Sequence, residues 1–160
     1  MTRYTDLASK AINYTRLFYE QRDSCQKLAF LLATNIKQYL DAPDGAVQFA
    51  ELDDELVTNW KTHSIPKLVQ GKDGWWYVGI LITFEQQGSA AFSKVVLKTG
   101  LRCLPDVHYL KLNHEHSLKP GNGASWIPFL ESLVRGLDQD YQSEVAGASA
   151  PMGFIQSGQH

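Results

Sequence analysis

The chain has 160 residues, enough for one ordinary globular domain, and 44% of them are apolar, a balance that excludes a wholly disordered protein. Fifteen basic residues against seventeen acidic ones give a formal net charge of −2. Between residues 57 and 120, eight basic residues stand against four acidic ones, an excess too small to predict nucleic-acid binding. No run of about 18 apolar residues is present, so the sequence predicts no membrane span.

The first segment, from Tyr4 to Leu40, contains no Gly or Pro and has helical periodicity. Its apolar residues recur at spacings of three, four or seven: Leu7, Ala11, Tyr14, Phe18, Cys25, Leu28, Leu32 and Tyr39. This pattern predicts either one long helix or two helices that break near Asp23, where Gln26 has capping-box spacing. The turn residues at 41–45 end the helical segment.

The middle of the chain predicts strands joined by short turns. Val47 to Leu52 is predicted as a short strand, and the acidic residues Asp53 to Glu55 are predicted to begin a short helix that Pro66 stops. Further strands are predicted at 67–70, 75–85, 90–98 and 101–112, with turns at 71–74, 86–89 and 99–100. These connections are too short for helical crossovers, so we expect an antiparallel sheet.

The C-terminal part predicts one amphipathic helix and a tail. Ser125 is the expected N-cap, and the apolar stripe is Trp126, Ile127, Leu130, Leu133, Val134, Leu137 and Tyr141. The predicted fold is α+β, an antiparallel meander of about four to five strands with the N-terminal and C-terminal helices packed on it. We expect residues 1–146 to form a single domain and residues 147–160 to form a flexible tail.

Alternation along the longest strand indicates which side chains face the core. Val78, Ile80, Ile82 and Phe84 share one face and are predicted to point inward. Trp75 and Tyr77 lie on the other face at one end of the strand. If they are exposed, they are candidates for ligand or partner binding. Burial under a helix is the alternative, and the packing needs of a sheet margin favour it.

Four residues form a candidate metal site. Asp106, His108, His114 and His116 bring three of the five histidines and one carboxylate into a short stretch. Imidazoles and a carboxylate suit zinc or another divalent first-row metal, the one cofactor that the sequence suggests. Their spacing matches no established metal motif, and loop histidines are commonly solvated.

The two cysteines, Cys25 and Cys103, have no CxxC spacing and are expected to be separate buried residues rather than a disulfide or a nucleophile. The N-terminal residues Met1 to Asp6 lack the apolar core of a signal peptide, so a cytoplasmic protein is expected.

No complete catalytic set is present, which favours a non-enzymatic binding module of the accessory, chaperone or immunity type. The first helix has more aromatic residues than one sheet face can cover, so we expect it, together with the sheet surface, to bind another protein or a second copy. Phe18 and Leu32 are the candidate contacts. Two alternatives stay open: a small metal-dependent enzyme that uses the histidine cluster, and a small-ligand sensor with a pocket lined by Trp60, Trp76 and Phe92.

Overall fold

The computed structural model describes residues 2–142 and 153–159, and over these residues the protein has an α+β fold. The N-terminal segment is a single helix, α1 (Arg3–Leu40), without a break at Asp23. Thr2 caps its start by accepting a hydrogen bond from the backbone N–H of Thr5, 3.1 Å away. Asp41 ends it in the left-handed conformation, where its backbone N–H still donates to the last turn.

The described strands form one antiparallel sheet, with more strands than the sequence predicted. Their bounds are β1 (Val47–Leu52), β2 (Thr58–His63), β3 (Val69–Gln70), β4 (Trp76–Glu85), β5 (Ala91–Cys103), β6 (His108–Lys111), β7 (Glu115–Leu118) and β8 (Gly153–Gln159). The spatial order is β2-β1-β4-β5-β6-β7, while β3 pairs with β4 and β8 pairs with β5. The second helix is α2 (Ile127–Tyr141), and Pro128 lies in its first turn.

The main core lies between the two helices and one face of the sheet. Residues in the C-terminal half of α1, from Cys25 to Ile36, pack with the buried residues of α2 against the inward side chains of β4 and β5. Val78, Ile80 and Ile82 are fully buried there, as the alternation predicted. Phe84 is 37% exposed near the end of β4, where its ring packs edge-on against Tyr141 of α2 with 5.7 Å between the centroids.

A smaller apolar cluster covers part of the opposite sheet face. Its buried members are Ala50, Leu52, Trp75, Tyr77, Leu81 and Val96. Loop and strand side chains pack around it, including Leu56, Trp60 and Val69. The sheet is therefore apolar on both faces near its centre, although both helices pack in the main core.

The predicted short helix after β1 is wrong, because residues 53–57 form the turn between β1 and β2. The Asp53 carboxylate accepts hydrogen bonds from the backbone N–H groups of Glu55 and Val57, at 2.9 and 3.0 Å. Leu56 adopts a φ of 61°, outside the right-handed helical region. The Asp53 carboxylate thus bonds the backbone N–H groups of a hairpin loop, and it does not stabilise the start of a helix.

The predicted turn at Thr99 and Gly100 is also wrong, because β5 continues through both residues to Cys103. Gly100 is needed there for close packing: a Cβ atom at this position would lie 3.2 Å from the Tyr77 ring and 3.3 Å from the Trp75 ring. The chain turns after β5 instead, at residues 104–107. Beyond the last predicted strand, residues 115–118 form β7, which pairs with β6.

The predicted tail is corrected over residues 153–159, because these form β8. Seven residues of β8 pair with β5, from Ala91 opposite Gln159 to Leu97 opposite Gly153. Ile155 packs against the main core. The alternating apolar pair Phe154 and Ile155 is short and lies among Gly, Ser and Gln, so the local composition hid the strand. Residues 147–152 of the predicted tail lie outside the described residues.

Candidate interaction surface

The N-terminal half of α1 projects from the sheet as an exposed helix. We call residues 3–24 the arm. At 1.5 Å per residue, this length spans about 33 Å. Within the arm, all residues are exposed except Ala8 and Phe18, which are half-buried. Tyr4 is 81% exposed, and Ile12 and Tyr14 are each 72% exposed. Exposed apolar side chains at this density are unusual on a helix surface, so the arm is the candidate interaction surface of the chain.

One apolar seam runs along the whole of α1, from the core into the arm. Its residues alternate three and four apart: Tyr4, Leu7, Ala11, Tyr14, Phe18, Gln21, Cys25, Leu28 and Leu32. The last three are buried in the main core. Because the spacing has the heptad period of helix–helix packing, the arm presents to solvent the same face that the rest of the helix buries.

The opposite face of the arm is polar and internally paired. The Arg16 guanidinium donates to the Glu20 carboxylate at 2.9 Å and to the Asn13 side-chain oxygen at 2.7 Å. These residues lie on the side of the helix away from the seam. The arm therefore has one apolar seam and one charged face, while the exposed Ile12 and Tyr19 lie outside the seam.

Phe18 marks the place where the arm meets the domain, and it is the predicted contact residue that remains partly accessible. Its ring lies 5.3 Å from the Trp76 ring and 5.4 Å from the Tyr19 ring, between centroids. Trp76 belongs to the main core at the start of β4. A partner on the seam would thus pack next to a core aromatic side chain.

Leu32, the other predicted contact on α1, is fully buried in the main core. It faces β4 and β5 together with Leu28 and Ile36. Of the two contacts predicted on α1, only Phe18 is therefore accessible on the surface of the described chain. The helical periodicity placed Phe18 and Leu32 on one seam correctly, but it did not show where along the seam the domain ends.

Trp75 and Tyr77 are buried at 8% and 6% exposure, so they do not form the exposed aromatic surface considered from the sequence. Among the described residues, the cluster around them consists of strand and loop side chains. The Tyr77 hydroxyl donates to the Asp73 carboxylate at 2.7 Å, and Lys111 donates to the same oxygen at 3.4 Å. The Lys111 ammonium lies 5.3 Å from the centroid of the Trp75 ring. Asp73 and Lys111 thus help to cover the two aromatic side chains, which a helix was expected to cover.

The electrostatics of this network favour a neutral tyrosine beside a charged aspartate. Burial and the hydrogen bond to Asp73 raise the pKa of Tyr77. Burial alone would raise the pKa of Asp73, but the bonds from Tyr77, the Trp75 backbone N–H and Lys111 lower it below its ordinary value. The network holds the start of β4 and the turn before it together.

The candidate metal ligands do not converge. Within the described residues, no three His, Cys, Asp or Glu side chains lie close enough together to hold a metal ion. His108 and His116 lie on one face of the β6–β7 pair, where they are cross-strand neighbours of Leu118 and Leu110. Asp106 and His114 lie in the exposed turns at either end of β6. The turns therefore separate Asp106 and His114 from the two strand histidines.

The two half-buried histidines have perturbed titration instead. Burial lowers the pKa of His108 and of His116, and the nearby His114 lowers that of His116 further. The His116 ring packs edge-on against Phe129 of α2 at 5.5 Å between centroids. Both histidines thus serve as neutral packing groups at the margin of the main core.

The pocket predicted for a small-ligand sensor is not formed by its three aromatic residues. Trp76 lies in the main core, and Trp60 packs on the opposite sheet face. Phe92 lies near the far end of β5, in a shallow depression with residues of β8. A period-two pattern alone could not assign these side chains to different faces and ends of the sheet.

The sequence did not predict that the two cysteines meet. Their Sγ atoms lie 3.4 Å apart, and both thiols are free and buried. They line a crevice of about 220 Å³ between α1 and the ends of β4 and β5, which Gln21, Asp73, Trp75 and Arg102 also border. The cysteines are 78 positions apart, so only the packing of α1 on β5 reveals the pair.

Comparisons with known proteins give no family for this chain: no family model, no curated protein and no solved structure matches it. In the described part of the chain, no helix is both long and apolar enough to cross a membrane.

Proposed function

We propose that the protein is a non-enzymatic interaction module that pairs with a second copy of itself through the arm of α1. The observation that carries the proposal is the continuous seam, which is buried from Cys25 onward and exposed from Tyr4 to Tyr14. A second helix laid on this face would bury those side chains as the domain buries the rest.

The sizes of the seam residues favour an antiparallel pair. In that arrangement Leu7 packs opposite Phe18 of the second copy, and Ala11 packs opposite Tyr14 of the second copy. Each layer then combines a large side chain with a smaller one, as close packing requires. A parallel pair would instead place Tyr14 against Tyr14 and Ala11 against Ala11, which leaves one layer crowded and the next underfilled.

The charges of the arm are compatible with this pairing. Arg16 and Glu20 are bonded to each other on the outer face, away from the proposed contact. Lys10 flanks the seam and would lie beside Leu17 of the second copy, where its long apolar stem covers the contact while its ammonium stays in water. No like-charged residues face each other across the antiparallel layers.

The proposed pairing is tested by measuring the mass of the full chain in solution across a range of concentrations. We expect a dimer for the natural sequence. Tyr14→Glu places a carboxylate in the central layer twice per dimer, so we expect the dissociation constant to rise at least about 100-fold. Ser9→Glu is the matched control, because Ser9 lies on the outer face of the same helix and the added charge stays in solvent.

Several results would overturn the proposal. A natural chain that stays monomeric at its highest attainable concentration is one, and a Tyr14→Glu chain that dimerises as well as the Ser9→Glu chain is another. Binding of the monomer to anionic phospholipid vesicles would identify the arm as a membrane-surface helix instead. Far-ultraviolet circular dichroism confirms that each variant folds, as we expect because both side chains are exposed in the single chain.

The same proposal places the protein in a reducing compartment, the cytoplasm, and gives it a protein rather than a nucleic-acid partner. The two free cysteines support the cytoplasm, because neighbouring thiols stay reduced in a compartment that keeps disulfides reduced. The net charge of −2 supports the second.

A further inference from the structure

The two cysteine thiols meet at the root of the arm. Cys25 is the first fully buried residue of α1, and Cys103 is the last residue of β5. Their Sγ atoms are 3.4 Å apart, and a disulfide bond needs about 2.05 Å. The two sulfurs would therefore have to approach each other by about 1.4 Å for the bond to form.

We propose that Cys25 and Cys103 form a site of reversible oxidation, at which a peroxide converts the two thiols to one intramolecular disulfide. The proposal goes beyond self-association and does not depend on it, because both sulfurs belong to one chain. The bond would join α1 to β5 at the position where the arm leaves the domain.

The crevice gives a small oxidant a route to the sulfurs. Its volume of about 220 Å³ holds several molecules of the size of water or hydrogen peroxide. Gln21, Asp73 and Arg102 border it and supply polar groups for a peroxide, while Trp75 forms an apolar wall. Cys103 is 6% exposed and Cys25 is fully covered, so a large disulfide reagent has poor access.

The chemistry needs only the two thiols and one peroxide. The thiolate of one cysteine attacks one peroxide oxygen, the O–O bond breaks, and a sulfenic acid forms with release of hydroxide, which takes up a proton to become water. The sulfur of the other cysteine then attacks the sulfenic sulfur, so that the S–S bond forms and the S–O bond breaks. The proton of this second thiol leaves with that oxygen as a second water. Two sulfurs are oxidised and two peroxide oxygens are reduced.

The contact between the sulfurs favours a single ionisation of the pair. One sulfur can accept a hydrogen bond as the thiolate while the other keeps its proton, so the two thiols do not ionise together. A thiolate is the form that attacks a peroxide. The thiol that keeps its proton acts in the second step.

The site is tested by treating the reduced full chain with hydrogen peroxide, blocking the remaining thiols with iodoacetamide and measuring the intact mass. We expect the chain to lose two hydrogen atoms and take up no blocking group, and we expect dithiothreitol to reverse the change. A peptide map should show Cys25 joined to Cys103. The oxidised chain should melt higher than the reduced chain by roughly 5–15 °C, since the bond closes a long loop.

Cys25→Ser and Cys103→Ser are the matched variants, because each keeps one thiol with nearly the same side-chain volume. Peroxide should give them oxygen adducts rather than the internal bond, and it should not raise their melting temperature. Tyr14→Glu should form the disulfide as the natural chain does, which separates this inference from the proposed pairing.

Three results would overturn the inference: both thiols stay open to blocking in the unfolded chain after treatment; one sulfur of the natural chain takes up two oxygens; or the disulfide forms between chains. A rate comparison gives a second check. In the folded chain the disulfide should form at least about tenfold faster than in concentrated urea, because folding holds the sulfurs together. An equal rate would show that the folded geometry contributes nothing.

Discussion

The ring of Phe18 on α1 packs against the ring of Trp76 on β4, with 5.3 Å between their centroids and an angle of 54° between their planes. This contact lies where the arm joins the domain, and it is followed along the helix by the buried Cys25. The free half of α1 is thus anchored by an aromatic pair before it enters the core.

Loss of this aromatic pair should loosen the root of the arm. We expect Phe18→Leu to lower the free energy of unfolding by about 0.5–1.5 kcal/mol, because the ring contact with Trp76 is lost while most apolar volume is kept. Hydrogen exchange at residues 18–24 should become faster. Tyr39→Leu is the matched control, since Tyr39 is 44% exposed near the other end of the same helix. Equal destabilisation by both changes would contradict the anchoring role of Phe18.

The inward face of β4 should not tolerate a charge at its centre. Ile80 is fully buried between the helices and β5, so Ile80→Asp should abolish cooperative unfolding at room temperature, a loss of at least about 4 kcal/mol. Phe84→Asp is the control on the same strand and face, because Phe84 is 37% exposed and the carboxylate can reach water. A folded Ile80→Asp chain, measured by circular dichroism and chemical denaturation, would contradict the assigned strand facing.

Strand β8 should contribute to stability. Ile155 packs against the main core, while the neighbouring Gln156 is exposed. We expect Ile155→Asp to lower the free energy of unfolding by about 1–3 kcal/mol and to speed hydrogen exchange at 153–159, because the charge removes the packing that holds the strand. Gln156→Asp should change neither measurement by much. If the two variants have the same stability and the same hydrogen exchange, residues 153–159 do not dock on β5.

Acidification should destabilise the fold through His116. Burial depresses the pKa of His116 in the folded chain below its ordinary value of 6.5, so the unfolded chain binds more protons at mildly acidic pH. Above pH 6.5 the ring is neutral in both states, so His116 does not lower the free energy of unfolding. Below pH 6.5 the unfolded chain takes up the proton first, and the free energy of unfolding falls until the pH drops below the lowered pKa of the folded chain. Urea unfolding from pH 7.5 down to pH 5 should show this decline.

The control for the pH dependence is His116→Gln, which keeps a polar side chain without a titrating group. We expect a smaller decline in stability for this variant over the same pH range, because His108 remains and its pKa is also lowered by burial. An unchanged decline would show that His116 does not supply the pH dependence. A proton NMR titration of the ring gives a direct reading of its pKa.

The sequence by itself determined the fold class and the placement of its main elements. The helical period between Tyr4 and Leu40 and the β-branched alternation from Val78 to Ile82 are local patterns, so they predicted α1 and the inward face of β4 correctly. The seam of α1 could also be predicted, since it depends only on the spacing of apolar residues along the helix. For the same reason the surplus of aromatic residues on this helix could be recognised without a structure.

Only the tertiary structure decided which parts of those patterns remain free. Phe18 and Leu32 share one seam, but the end of the sheet decides that the first is accessible and the second buried. The Thr99-Gly100 pair predicts a turn from its composition, but Gly100 lies inside β5. The rings of Trp75 and Tyr77 lie close to it and leave little room for a Cβ atom. Cys25 and Cys103 are distant in sequence and meet only because α1 crosses β5. Contacts between distant residues depend on how elements pack, and spacing along the chain does not encode that directly.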